Sequence, residues 1–140
     1  MKTLVILALL FVSVGTQGQN APSHKATLAD QKACAEQAAK VFHEHFPDSS
    51  DATYKSHYDP EANVCYVHIT QLKKRNGDTA HQELIVDAFE NMGYAVFYAP
   101  SPSRPPTTCT VTPLHKKDGV ECTSKAEFDA LVRQYYNLDN

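Results

Sequence analysis

From Leu28 to His45, apolar residues recur every three or four positions. Leu28, Cys34, Ala35, Ala38, Val41 and Phe42 form one stripe, the pattern of a helix that buries a single face. Thr27 is placed to cap this helix, Asp30 lies at its positive end, and Pro47 stops it. From Tyr54 the period falls toward two. Tyr54, Ser56 and Tyr58 point one way from a short strand, and Asp59 to Asn63 turn around Pro60. Val64 to Leu72 form a longer strand. In it Cys65, Val67 and Ile69 share the better core face, with Val64, Tyr66, His68 and Thr70 opposite. Asn76-Gly77 gives the next turn, and His81 to Phe89 carries apolar residues on both faces, as a central strand does. Asn91 to Gly93 turn again into Tyr94 to Tyr98, so the simplest arrangement is an antiparallel meander.

Five of the eight prolines fall between Pro100 and Pro113. They make Ala99 to Thr107 a stiff, extended connection rather than regular structure. Cys109 to Thr112 resumes as a short strand. The last element is a helix opened by the capping-box sequence Ser124-Lys125-Ala126-Glu127, with Phe128, Leu131, Val132 and Tyr135 as its apolar face, ending near Tyr136. The predicted fold class is α+β: an antiparallel sheet of four or five strands, with an N-terminal and a C-terminal helix packed on one face, stapled by disulfides.

Ahead of these elements, Met1 and Lys2 precede an apolar run from Thr3 to Val14 and a small polar stretch from Gly15 to Gln19. This is the order of a cleavable signal peptide, and the run is much shorter than the ~20 residues of a membrane span. Thr16 and Gly18 suit cleavage after Gly18, with Gly15 and Ala21 as alternatives. The expected organisation is a signal peptide at 1–18, a flexible lead at 19–26 and a single α+β domain at 27–140. The expected address is the periplasm or the exterior, with no lipid anchor and no Asn-x-Ser/Thr acceptor. Thirteen Lys and Arg stand against 16 Asp and Glu, a net of −3. Losing Lys2 makes the balance more acidic, which argues against nucleic acid as a partner. The basic run Lys73 to Arg75 precedes Asn76-Gly77 and reads as a solvated hairpin end.

Four cysteines, Cys34, Cys65, Cys109 and Cys122, accompany that export signal. An even thiol count in a small domain bound for an oxidising compartment argues for two bridges, and three connectivities are open. Preferred is Cys34 with Cys65, joining the helix stripe to the core face of a strand, and Cys109 with Cys122, closing a loop ahead of the capped helix. Chain entropy gives these bridges roughly 3.7 and 2.9 kcal/mol.

Cys34-Ala35-Glu36-Gln37-Ala38, the block Tyr54-Lys55-Ser56-His57-Tyr58 followed by Asn63 and Cys65, Asp87-Ala88-Phe89-Glu90, and Cys122 through Phe128 carry a resemblance. Across most of the mature chain it resembles a group of small exported bacterial four-cysteine proteins to which no activity is assigned. The resemblance implies an architecture and an address, not a mechanism.

The candidate binding residues are His57, Tyr54, Tyr58, Tyr66 and His68. His57 lies on a strand just before a turn. A metal or an anionic ligand is its functional reading, and local packing and hydrogen bonding is the ordinary one for a lone strand histidine. If Tyr58 pairs with Val64, then Ser56 faces Tyr66 and Tyr54 faces His68. That gives a Tyr- and His-rich stripe on the non-core face, fit either to recognise a partner or to rigidify the sheet. His43 and His45 are two apart on a helix and cannot share an ion. His68 and His81 can approach only in a suitable register. No Cys-x-x-Cys, His-Glu-x-x-His, nucleophile elbow, phosphate loop or dinucleotide fingerprint is present, and bridged cysteines leave no thiol nucleophile. Asp87 and Glu90 near His81 are the nearest approach to an acid/base set, and both read as solvated. No catalytic residue, metal ligand or cofactor is therefore expected. The expected function is a non-enzymatic binding module of the envelope or exterior. It would act through its open sheet face or proline-rich loop on a protein, an envelope component or a small ligand. A histidine-based metal site is the second reading, and a small hydrolase the third.

Overall fold

The computed structural model describes residues 25–47, 50–75, 77–114 and 116–136. The N-terminal apolar run, the expected cleavage sites and most of the expected lead lie outside the described residues. Helix α1 spans Leu28–His45 as expected, and its N-terminus closes reciprocally: the Thr27 hydroxyl accepts from the Asp30 amide while the Asp30 carboxylate accepts from Thr27. Its buried stripe is Cys34, Ala38, Val41 and Phe42. Leu28 is 82% exposed and Ala35 is also outside, so the stripe is narrower than the spacing implied.

Six strands follow: β1 (Ala52–Asp59), β2 (Val64–Arg75), β3 (Asp78–Asp87), β4 (Met92–Ala99), β5 (Thr108–Val111) and β6 (Val120–Glu121). They form one antiparallel sheet in chain order. The short β6 was not foreseen. Helix α2 (Lys125–Val132) continues into a 3-10 turn at Arg133–Tyr135. Ser124 caps it by accepting from the Glu127 amide, and the Glu127 carboxylate reaches the amide and hydroxyl of Thr123.

Strand alternation then divides the core in two. Cys65, Val67 and Ile69 of β2 pack with Tyr58, Ala88 and the stripe of α1. Tyr66, on the other face, packs with Ile85, Phe97, Val111, Phe128, Val132 and Tyr135. The helices thus cover opposite faces of the sheet rather than one. The physical reason is that β2 carries large apolar side chains on both sides, so each face needs its own cover. Burying Tyr66, Phe128 and Ile85 contributes about 2–3 kcal/mol apiece.

The bridges join Cys34 to Cys65 and Cys109 to Cys122, the preferred pairing, and no described cysteine is free. The first ties α1 to β2; the second ties β5 to the segment that enters α2. Among the described residues, no helix is long and apolar enough to cross a membrane.

Candidate functional site

The hairpin between β1 and β2 decides where the sequence candidates go. Asp59, not Tyr58, pairs with Val64, leaving a turn at Pro60 to Asn63. The Asp59 carboxylate accepts from the amides of Glu61 and Ala62, and Asn63 takes a left-handed φ of 53°. That shift by one residue sends alternate side chains to the other face. Tyr54 and Tyr58 therefore join the α1 side. Tyr54 lies against Phe42 with ring centroids 4.6 Å apart, and the Tyr58 hydroxyl donates to Asn63 Oδ1 at 2.8 Å. His57, Tyr66 and His68 share the α2 side. Tyr66 is 1% exposed between the rings of Tyr94 and Tyr135. The expected exposed stripe does not exist: its members are split between two cores, and only His68 belongs to a wider polar arrangement.

That arrangement centres on Glu83. A two-residue turn between β2 and β3 pairs Arg75 with Asp78, which places Thr70 opposite Glu83 and Leu72 opposite His81. His68, Glu83 and His81 consequently share the α2 face. Glu83 is 3% exposed. Nε2 of His68 lies 2.7 Å from one carboxylate oxygen in a hydrogen bond. Nε2 of His81 lies 2.7 Å from the other but is not aligned as one. The first residue of α2 completes the cluster: Lys125 Nζ stands 2.9 Å from Glu83 Oε1 and also donates to Asp129. The same ammonium lies over the rings of Phe97 and Phe128, 5.9 and 5.6 Å from their centroids. Tyr136 lies tilted against His68, ring centroids 5.5 Å apart, with its hydroxyl buried and unpartnered among the described residues.

Burial alone would raise the Glu83 carboxyl. The hydrogen bonds from His68 and Lys125, together with the charge of Lys125, outweigh it and hold the group below the usual carboxylate range. Burial likewise would lower Lys125, and its bonds to Asp129 and Glu83 raise it instead. Both groups are therefore charged at neutral pH. Burial also pushes the Tyr136 phenol upward, so it stays protonated.

In front of this cluster lies a cleft of about 340 Å³. Phe97, Ala99 and Leu72 of the sheet form one wall, prolines 102, 105 and 106 the other, with His81 and Lys125 on its lining and Glu83 behind them. The loop that carries the prolines is clasped where it leaves and rejoins the sheet, Thr107 N donating to Tyr98 O, and it contains a turn in which Arg104 N donates to Ser101 O.

No protein-family model, curated protein or solved structure matches this chain.

The remaining candidates separate from this centre. Asp87 is buried at the far end of β3, where it accepts from the Phe89 amide, and Glu90 is exposed. Neither forms an acid/base set with His81, and Asp87 is not solvated as expected. His57 has its Nε2 buried without a hydrogen bond, while His43 and His45 are exposed on α1. Among the described residues, no group of three His, Cys, Asp or Glu side chains is placed to hold a metal ion. At Glu83 the carboxylate is already engaged by the Lys125 ammonium, 2.9 Å from Oε1. Glu83 and Lys125 are the residues that sequence reasoning missed. The Asn76-Gly77 turn was the available signal, because a two-residue loop fixes the β2–β3 register and thereby brings His68, Glu83 and His81 to one face.

Proposed function

We propose that this chain is an exported, non-enzymatic binding module and that the proline-walled cleft is its ligand site. The observation that carries this reading is an apolar recess whose floor backs onto the buried Glu83 carboxylate and its Lys125 partner. Replacing such a pair with hydrophobic side chains is often neutral or stabilising, so its presence is weakly explained by stability. Perturbed ionisable groups beside a concave surface are a recurring mark of functional sites. The prolines support the reading too, since a wall with fixed φ angles loses little freedom when a ligand enters. Two disulfides and the N-terminal apolar run support export. The absence of a three-ligand cluster among the described residues weighs against the metal reading.

The test is a small-molecule screen by thermal shift on the disulfide-intact protein, repeated on Thr79→Trp, which places an indole in the recess from β3. Stabilising compounds should lose their effect in the variant. Compounds that act equally on both proteins would place binding elsewhere. For the address, mass spectrometry of protein from culture medium and envelope fractions should find a mature chain beginning at Gln19.

A further inference from the structure

Resting on that reading of the cleft, we infer that its ligand is a small organic monoanion: a carboxylate or similar acid carried on an apolar body. The charge of the lining points there. The chain as a whole is acidic, yet the titratable side chains lining the recess are His81, Arg104 and Lys125, with no Asp or Glu among them. Glu83 stands behind this surface, already occupied by Lys125 and His68. A cationic ligand would thus meet positive side chains first.

The two fixed cations play unequal parts. Lys125 has three N–H donors, of which Glu83 and Asp129 engage two. Its charge is largely offset, and it retains one donor. Arg104 is exposed at the mouth and makes no ion pair among the described residues. Its planar guanidinium can grip both oxygens of a carboxylate, a geometry an ammonium cannot offer. The start of α2 is less suited to an anion: Ser124 Oγ accepts from the Glu127 amide, and the Glu127 carboxylate, itself negative, lies in the first turn and accepts from Thr123.

The rest of the recess is apolar. Leu72 is half exposed on the sheet wall, an apolar side chain left partly wet beside Phe97, Ala99 and three prolines. A body of roughly a dozen non-hydrogen atoms fits a recess this size. With one unpaired cation and a dominant apolar wall, the lining suits a single negative charge on a hydrophobic frame and not a polyphosphate.

The experiment is an amide NMR titration of the disulfide-intact chain with phenylbutyrate, phenylbutanol and phenylbutylamine, which share one apolar body and differ in charge. The carboxylate should bind about tenfold more tightly than the alcohol, and the amine more weakly still, with shifts at Leu72, His81, Phe97 and Ala99. Arg104→Gln should bring the carboxylate down to the alcohol. Arg133→Gln, exposed beyond α2, should leave the preference intact. An alcohol or amine that binds as tightly as the acid overturns the ligand class while sparing the cleft as a binding site. A preference that survives Arg104→Gln overturns the role of Arg104. Absence of shifts at the cleft with all three compounds overturns both the ligand class and the cleft.

Discussion

Lys125 Nζ stands 2.9 Å from Oε1 of Glu83, and through that contact the first turn of α2 is fixed to the middle of β3. Helix and sheet meet there through charge, while Phe97 and Phe128 pack beside the pair at a ring separation of 5.3 Å.

Breaking this pair from one side should be costly. Lys125→Met leaves the Glu83 carboxylate buried without its cation and should lower stability in urea by about 1–3 kcal/mol, since Lys125 is itself partly exposed. Glu83→Gln together with Lys125→Met should recover most of that loss. A double mutant no more stable than Lys125→Met alone would show that the cost came from lost packing instead.

Acid should act through the same carboxyl. The folded-state pKa of Glu83 is lowered from its ordinary value of 4.5. Its contribution is thus present above that value and is lost as the pH falls through the folded one. Urea midpoints measured stepwise below pH 4.5 should fall less steeply for Glu83→Gln than for the natural chain. Parallel slopes would deny the group its low pKa. Lys125, raised above 10.5, has the opposite sense: its contribution is complete below that value and is lost at higher pH.

Tyr54 and Tyr66 should behave as residues of two separate cores. Tyr66→Ser removes a ring buried among Tyr94, Tyr135 and the α2 face and should cost about 3–5 kcal/mol. Tyr54→Ser loses a half-buried contact with Phe42 and should cost about 1 kcal/mol. Because the side chains lie on opposite faces, the double mutant should show the sum to within about 0.5 kcal/mol. Strong coupling in denaturation experiments would contradict the separation.

The β5–β6 connection contains a close approach that only glycine permits. A Cβ at Gly119 would fall 2.7 Å from Thr110 Cγ2, and a β-branched side chain in a strand has little freedom to move away. Gly119→Ala should destabilise by about 1–2 kcal/mol. Adding Thr110→Ser, which removes that methyl group, should restore most of it by thermal melting.

Local rules made much of this fold legible. α1 begins and ends where Thr27 and Pro47 place its limits, and Ser124 opens α2 as its motif indicates. Cys34 on a helix stripe and Cys65 on an apolar strand face favoured pairing them over the two other connectivities, and the structure joins them. The errors arose where one residue of register changes everything. Pairing Tyr58 with Val64 yields a tyrosine stripe. Asp59 capping its own turn, with Asn63 in the left-handed region, moves the pairing by one and dissolves that stripe. The Glu83 cluster was hidden for another reason, since it needs three elements at once: β2, β3 and the first turn of α2. Hairpin arithmetic from Asn76-Gly77 supplies two of them, but the docking of Lys125 is a tertiary event with no local signature.

The Cys109–Cys122 bridge has a consequence for when the recess comes into being. Cys109 lies opposite Phe97 across the β4–β5 ladder, and Cys122 stands three residues before Lys125. A single covalent link thus spans the apolar wall and the charged floor. With both thiols reduced, the lead into α2 keeps the hydrogen bond from Cys122 N to Cys109 O, the β5–β6 pairing and the Glu127 contacts of Thr123, but no covalent tie to β5. The wall and the floor are therefore locked to each other only once Cys109 and Cys122 are joined, so the recess takes its final form with the second bridge.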